Sequence, residues 1–166
     1  AKGNGTRVLL GGTPAPSGGG LFPSSGATVR VEVGALLEVK GNEATTRRGG
    51  GVYLSDAGSS LTAKGNGTRV LLEGNTAPYG GGLYPKLGAT VAVEDGALLE
   101  VKGNEATTQG GGVYLQDAGS SLTAKGNGTR VLLEGNTAPT GGGLYPKSGA
   151  TVAVEDGALL EVKGNE

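Results

Sequence analysis

Apolar residues along this chain fall in short alternating runs, each closed by glycine, asparagine or proline. Within Gly74–Lys102 three such runs follow one another: Gly82–Pro85, Thr90–Glu94 and Ala97–Lys102. Their two-residue alternation is that of a strand with one buried face, and they are too short and too glycine-flanked for helices. Leu83, Val91, Val93, Ala97, Leu99 and Val101 are the predicted inward positions. The next stretch, Gly103–Glu134, shows the same order, with Val113, Leu122, Ala124, Thr129, Val131 and Leu133 in the matching places. The positions between carry Glu, Lys, Arg or Thr, with some Leu, and are expected to face solvent.

The two stretches define two kinds of rung, type A of 29 residues and type B of 32, which together make a 61-residue unit. That unit recurs almost verbatim. Ala63–Glu105 returns as Ala124–Glu166 with only Thr140 in place of Tyr79 and Ser148 in place of Leu87, and a looser copy starts at Ala1. The first interval is one residue longer because Arg47-Arg48 stands where the second copy has Gln109. A fixed period of this size marks a stacked array whose rungs bury their apolar faces against one another. The expected fold is all-β: a parallel β-helix (β-solenoid), three short strands per rung, about 30 residues per rung. The organisation is a single segment, residues 1–166, divided into repeats 1–62, 63–123 and 124–166. Because it starts and stops within a repeat, the expectation is a piece of a longer array.

Charge tests the stacking. One outward column, read down the rungs, runs Lys2, Glu32, Lys64, Glu94, Lys125, Glu155; another runs Lys40, Glu73, Lys102, Glu134, Lys163. With rungs about 4.8 Å apart, every lysine has a glutamate above and below it. Each exposed pair contributes only ~0.2–1 kcal/mol, but stacking A on A sets like charges face to face, so the columns act mainly on register. Two further columns invite the same reading. Phe22, Tyr53, Tyr84, Tyr114 and Tyr145 hold five of the six aromatics, as a stiffening ring-on-ring ladder or as a platform for sugars or a partner. Asn42, Asn75, Asn104, Asn136 and Asn165, with Thr13 once in the same place, suit rung-to-rung amide hydrogen bonds inside a turn.

Composition narrows the chemistry. Thirty-six glycines with only seven prolines and no Gly-X-Y period exclude collagen, and a net charge of −1 gives no support for nucleic-acid binding. No apolar run is long enough for a transmembrane helix. Cys, His, Met and Trp are absent, which removes disulfides, thiolate nucleophiles, the commonest general base and the most oxidisable side chains. Such a composition suits a long-lived extracellular material. Glu94-Asp95 and Glu155-Asp156 supply the carboxylates of a glycosidase, but a repeated surface gives them identical surroundings, whereas catalysis needs two different ones. The calcium-binding turn of β-rolls is missing, and no Gly-Lys-Ser/Thr follows the Gly-Gly-Gly triplets, which are expected to turn the chain through φ values that glycine alone tolerates. Asn4-Gly5-Thr6, Asn66-Gly67-Thr68 and Asn127-Gly128-Thr129 read either as glycosylation sequons or as tight Asn-Gly turns. No cofactor, metal or catalytic residue is expected.

Leu72-Glu73-Gly74-Asn75-Thr76-Ala77 followed by Gly80-Gly81-Gly82-Leu83 resembles the Phe-x-x-Asn … Gly-Gly-Ala-Ile pairing of the polymorphic outer-membrane proteins, autotransporter-type adhesins. Val101-Lys102-Gly103-Asn104 and Gly110-Gly111-Gly112-Val113 repeat it, with Leu or Val for Phe and Gly-Leu-Tyr or Gly-Val-Tyr for Ala-Ile. The resemblance implies a right-handed coil, a surface or secreted location, and a host or cell-surface ligand held elsewhere in the parent protein. The functional expectation is a non-enzymatic structural segment of an extracellular fibre, stalk or adhesin shaft. It extends along the same chain or by head-to-tail self-association, with Lys2 of one copy over Glu155 of the next. The alternative is a carbohydrate-binding or depolymerising β-helix of polysaccharide-lyase or tailspike type. An ice-binding face is disfavoured because Thr45-Thr46 and Thr107-Thr108 recur only on alternate rungs.

Overall fold

The structure, a computed structural model, describes residues 1–3, 5–12, 14–46 and 48–166. Its described residues form strands and turns with no helix, and every strand pairing is parallel. The chain winds through about five coils, roughly 30 residues apart, as a β-solenoid. Each coil passes four walls. Sheet 1 holds the short strands Pro14–Ala15, Glu43–Ala44, Thr76–Tyr79 and Glu105–Gln109; sheet 2 holds Val52–Ser55, Leu83–Lys86, Val113–Gln116 and Leu144–Lys147. Sheet 3 runs through Thr28–Glu32, Ser60–Lys64, Thr90–Glu94, Ser121–Lys125 and Thr151–Glu155. Sheet 4 comprises Arg7–Gly11, Leu36–Lys40, Arg69–Glu73, Leu98–Lys102, Arg130–Glu134 and Leu159–Lys163.

Sheets 2, 3 and 4 are the three strand columns expected from the alternation, and sheet 1 is an addition that corrects the count of three strands per rung. Thr76–Tyr79 and Glu105–Gln109 each bury one small apolar residue, Ala77 or Ala106, outside the aliphatic core, so no alternation reveals them. The expected register holds in the other walls: Leu83 faces Val113, Val91 faces Leu122, and Leu99 faces Val131. These inward residues are buried in one continuous aliphatic core of Val, Leu and Ala. Among the described residues no helix is long and apolar enough to cross a membrane, which says nothing of a β-barrel.

Type B coils carry their three additional residues one per corner. Between sheets 2 and 3, the type A turn Leu87-Gly88 (φ 56° and 84°) becomes Asp117-Ala118-Gly119 in type B. Between sheets 3 and 4, Asp95-Gly96 (φ 54° and 85°) becomes Gly126-Asn127-Gly128. The third addition lies before the glycine triplet, where Tyr79 alone is replaced by Thr108-Gln109. The shorter type A turns leave backbone donors facing the next coil, and type B hydroxyls take them. Gly88 and Gly96 N–H donate to Ser120 Oγ (3.1 Å) and Thr129 Oγ1 (2.9 Å), both hydroxyl residues being buried. A type A coil thus fits a type B coil through its turns as well as its charges.

Two expectations change with the packing. Only the first glycine of each triplet needs a left-handed φ, as at Gly80 (63°) and Gly110 (67°). The others are glycine because the coils approach closely: a Cβ on Gly81 lies 2.5 Å from Gly111 O, and one on Gly82 lies 2.7 Å from Gly112 O. The outer face of sheet 4 is also less exposed than expected. Glu38, Leu71 and Glu100 point outward yet retain only 5% of their accessible surface. Side chains stacked one strand apart cover each other there, with Glu100 directly between Leu71 and Leu132.

Candidate functional site

The asparagine column is an unbroken buried ladder from Asn42 to Asn136, continued by the partly exposed Asn165. Asn75, Asn104 and Asn136 all make the same set of bonds. Backbone N–H and Nδ2–H of Asn75 both donate to Asn104 Oδ1 (3.0 and 2.9 Å), while Nδ2 also donates to Val39 O (2.9 Å) in the preceding coil. Asn104 repeats this toward Asn136 and Leu72, and Asn136 toward Asn165 and Val101. Asn42 donates in the same way to Asn75 Oδ1. The amide is consumed by stacking, which leaves it nothing for a ligand. Thr13, expected in this column, lies outside the described residues.

The charge columns have the expected backbone register, Glu94 facing both Lys64 and Lys125, and Lys102 facing both Glu73 and Glu134. Their ion pairs are more selective. Lys64 reaches Glu94 (3.3 Å) and Asp95 (3.2 Å); Lys125 reaches Glu155 (3.7 Å) and Asp156 (3.5 Å). Glu134 is the carboxylate bridged from both sides, by Lys102 and Lys163 at 3.7 Å each. The two Glu-Asp pairs therefore sit in equivalent surroundings, each held by one lysine. Among the described residues no group of three or more His, Cys, Asp or Glu gathers.

Sheet 4 holds a charge motif that the strand pattern did not reveal. Glu100 accepts from Arg69 Nε and pairs with Lys102 Nζ (2.8 Å); Glu38 does the same with Arg7 and Lys40 (3.1 Å). Burial raises the Glu100 carboxyl, but bonds from Lys102 and Arg69 together outweigh it and hold the group below its ordinary value. The Arg7 and Lys40 bonds lower Glu38 in the same sense.

Of the sequons, Asn4 lies outside the described residues. Asn66 and Asn127 are exposed, each between two left-handed glycines that supply the turn's positive φ. Their side chains fold over Gly96 and Gly157 of the following coil. The sequon threonines are buried structural groups: Thr68 Oγ1 donates to Lys64 O (2.8 Å) and accepts from Gly34 N–H (3.1 Å).

The aromatic column is continuous. Ring centroids lie 4.6 Å apart for Phe22–Tyr53, 5.4 Å for Tyr53–Tyr84, 4.7 Å for Tyr84–Tyr114 and 5.5 Å for Tyr114–Tyr145. These rings stand on the outside of sheet 2, yet Tyr84 and Tyr114 are 1% and 2% exposed because residues of sheet 1 close over them. Tyr79, the sixth aromatic, stacks beside Tyr114 at 6.0 Å, and the Arg48 guanidinium lies 5.8 Å from the Tyr84 ring centre. Arg48, Tyr79 and Gln109 form their own column, since Tyr79 pairs with both neighbours. The Tyr84 hydroxyl donates to Gln116 Oε1, and burial pushes its phenol well above the ordinary value.

Between the outer faces of sheets 1 and 2 these residues leave a groove of about 310 Å³. Arg48, Tyr79, Thr108 and Gln109 line it from one side, and Gln116 and Lys147 join the two ladder tyrosines on the other. Neither Arg48 nor Lys147 meets a carboxylate within 4.0 Å among the described residues. The partly exposed carboxylate near the tyrosines, Asp117, is turned to Lys86 at 4.0 Å. Arg48 and Tyr79 were not singled out as site residues from sequence. The signal was present: both stand where the copies differ, Arg48 at the one-residue insertion and Tyr79 where the other copy has Thr140. No protein-family model, curated protein or solved structure matches this chain.

Proposed function

We propose that this chain is a non-enzymatic structural segment of an extracellular or cell-surface fibre, stalk or adhesin shaft, supplying length and rigidity. The observation that carries this reading is the asparagine ladder, which repeats one set of bonds at each step from Asn42 to Asn165, buried as far as Asn136. A rod made this way lengthens by about 4.8 Å per coil without new chemistry. The Glu-Asp pairs support a structural role, since equivalent lysine contacts give them no means of splitting into acid and base. The lack of Cys and Met, and the resemblance to autotransporter adhesin passengers, support placement outside the cell.

Continuation follows the same rules. Further coils, from the same polypeptide or from a second copy stacked head to tail, meet the open strands of Leu144–Lys147, Thr151–Glu155 and Leu159–Lys163 with a type B surface. Electron microscopy of chains carrying two, four and eight 61-residue repeats tests the reading. Rods should grow by about 9.6 Å per repeat. Globular particles, or lengths that do not scale with repeat number, contradict it. Antibody against the repeat should label intact cells of the source; label only after lysis contradicts the surface location.

A further inference from the structure

We propose that the groove between sheets 1 and 2 binds a carboxylate-bearing sugar of an acidic polysaccharide, with Arg48 on its charge and Tyr79 against its ring. This adds a lateral binding site to a shaft, and stands independently of how the shaft lengthens.

The groove forms where the array stops being uniform. Ala63–Glu105 and Ala124–Glu166 differ at two positions only, and one of them, Tyr79, lies in this groove beside Arg48 of the insertion. The column continues with Gln109, which also lines the groove, and then Thr140, neither of them aromatic or charged.

Charge selects the ligand's sign. Lys64, Lys102 and Lys125 are committed to carboxylates in the stacking columns, and Lys147 is the repeat equivalent of Lys86, which reaches Asp117 of the following coil; Arg48 has no carboxylate within 4.0 Å among the described residues. No Asp or Glu lines the groove. A guanidinium without a carboxylate partner in a recess that holds no Asp or Glu favours an anion, and held over a ring it presents a planar fork suited to a carboxylate. Size and polarity select the rest. About 310 Å³ is at the small end of ligand pockets, enough for one or two rings and not for a chain. Thr108, Gln109 and Gln116 offer neutral donors and acceptors that match hydroxyls. Tyr84 and Tyr114 turn their faces to each other and are buried, whereas Tyr79, stacked on Tyr114 from one side, stays partly exposed, which suits the single C–H face of a sugar better than an intercalating aromatic.

The probe is digalacturonate, titrated into the full chain at low ionic strength and followed by the NMR signals of the tyrosine rings. Saturable binding is expected at millimolar concentration or below. Arg48→Gln should weaken it about tenfold or more, the factor carried by one charge-assisted hydrogen bond. Tyr79→Thr, which copies the residue already present at position 140, should weaken it several-fold with the fold intact. Arg48→Lys, which keeps the charge but loses the planar fork, should weaken binding less than Arg48→Gln and serves if that variant fails to fold, and Lys163→Gln, on sheet 4, should change nothing. A neutral disaccharide should bind at least tenfold more weakly. Absence of saturable binding, equal binding after loss of the Arg48 charge, equal binding of the neutral disaccharide, or tighter binding of a nucleoside monophosphate overturns the proposal.

Discussion

Replacing Asn104 by alanine tests the asparagine ladder where it is most enclosed. Asn104 is 1% exposed, its Oδ1 accepts from the Asn75 backbone N–H (3.0 Å) and side-chain amide (2.9 Å), and its Nδ2 donates to Leu72 O (3.0 Å) and Asn136 Oδ1 (2.9 Å). Two of these losses can be compensated: Asn75 Nδ2 keeps Val39 O, and Asn136 Oδ1 keeps the Asn104 backbone N–H. Of the other two, the Asn75 N–H loses its acceptor inside the fold, whereas the Leu72 carbonyl, within the strand pairing of sheet 4, loses one of two acceptor positions. At about 1–3 kcal/mol for the stranded donor and about 1 kcal/mol for the lost carbonyl bond, the substitution costs roughly 2–4 kcal/mol. Because coils contact only their neighbours, the damage should concentrate between the third and fourth coils. Native-state hydrogen exchange reads it directly. The Asn75 amide should exchange faster by a factor of about 30 or more, the equivalent of 2 kcal/mol. The exposed control Thr107→Ala should shift nearby amides by no more than about 0.5 kcal/mol. A cost for Asn104→Ala below about 1 kcal/mol, or unchanged exchange at Asn75, refutes the account of the ladder.

Other predictions address packing, charge and pH. Gly81→Ala drives a Cβ to 2.5 Å from the Gly111 carbonyl oxygen and should cost about 3 kcal/mol, clearly more than an exposed alanine substitution in denaturant titration. Glu134→Lys leaves Lys102, position 134 and Lys163 as three stacked cations, and should lower stability by about 1 kcal/mol in low salt, with the deficit shrinking in high salt. Glu38 and Glu100 are held below the ordinary carboxylate value of 4.5, so their stabilisation is full above that pH and lost as pH falls through the lower folded values. Thermal melts should therefore weaken below about pH 4.5, and Glu100→Gln should flatten that dependence; a melt insensitive to acid contradicts it.

The coil and its register were legible because alternation and the recurring Gly-Asn pair place Leu99 over Val131 and Glu94 over Lys125 without any tertiary information. Sheet 1 was not, since a strand such as Thr76–Tyr79 with one buried alanine has no hydrophobic period to detect. Outward polarity also misled at Glu100, whose burial comes from neighbours stacked one strand away, among them Leu71 and Leu132. The glycine triplets show the same limit: Gly81 is needed for a coil-to-coil approach that no local φ preference reveals. The groove was missed for a different reason. Reading by columns rewards what repeats, and Arg48 and Tyr79 are the residues that do not.

Spin-label distances test the central claim, an ordered stack of parallel coils, most directly. The chain has no cysteine, so cysteines introduced at Arg30 and Ala153 take labels without background. These positions share one sheet 3 column through Thr62, Ala92 and Thr123, four coil steps apart in space and 123 residues apart in sequence. At about 4.8 Å per step the backbone separation is about 19 Å. The account predicts a single narrow distance distribution centred near 2 nm, broadened only by the label arms. A broad distribution extending to several nanometres, as for an unfolded or loosely collapsed chain, contradicts it.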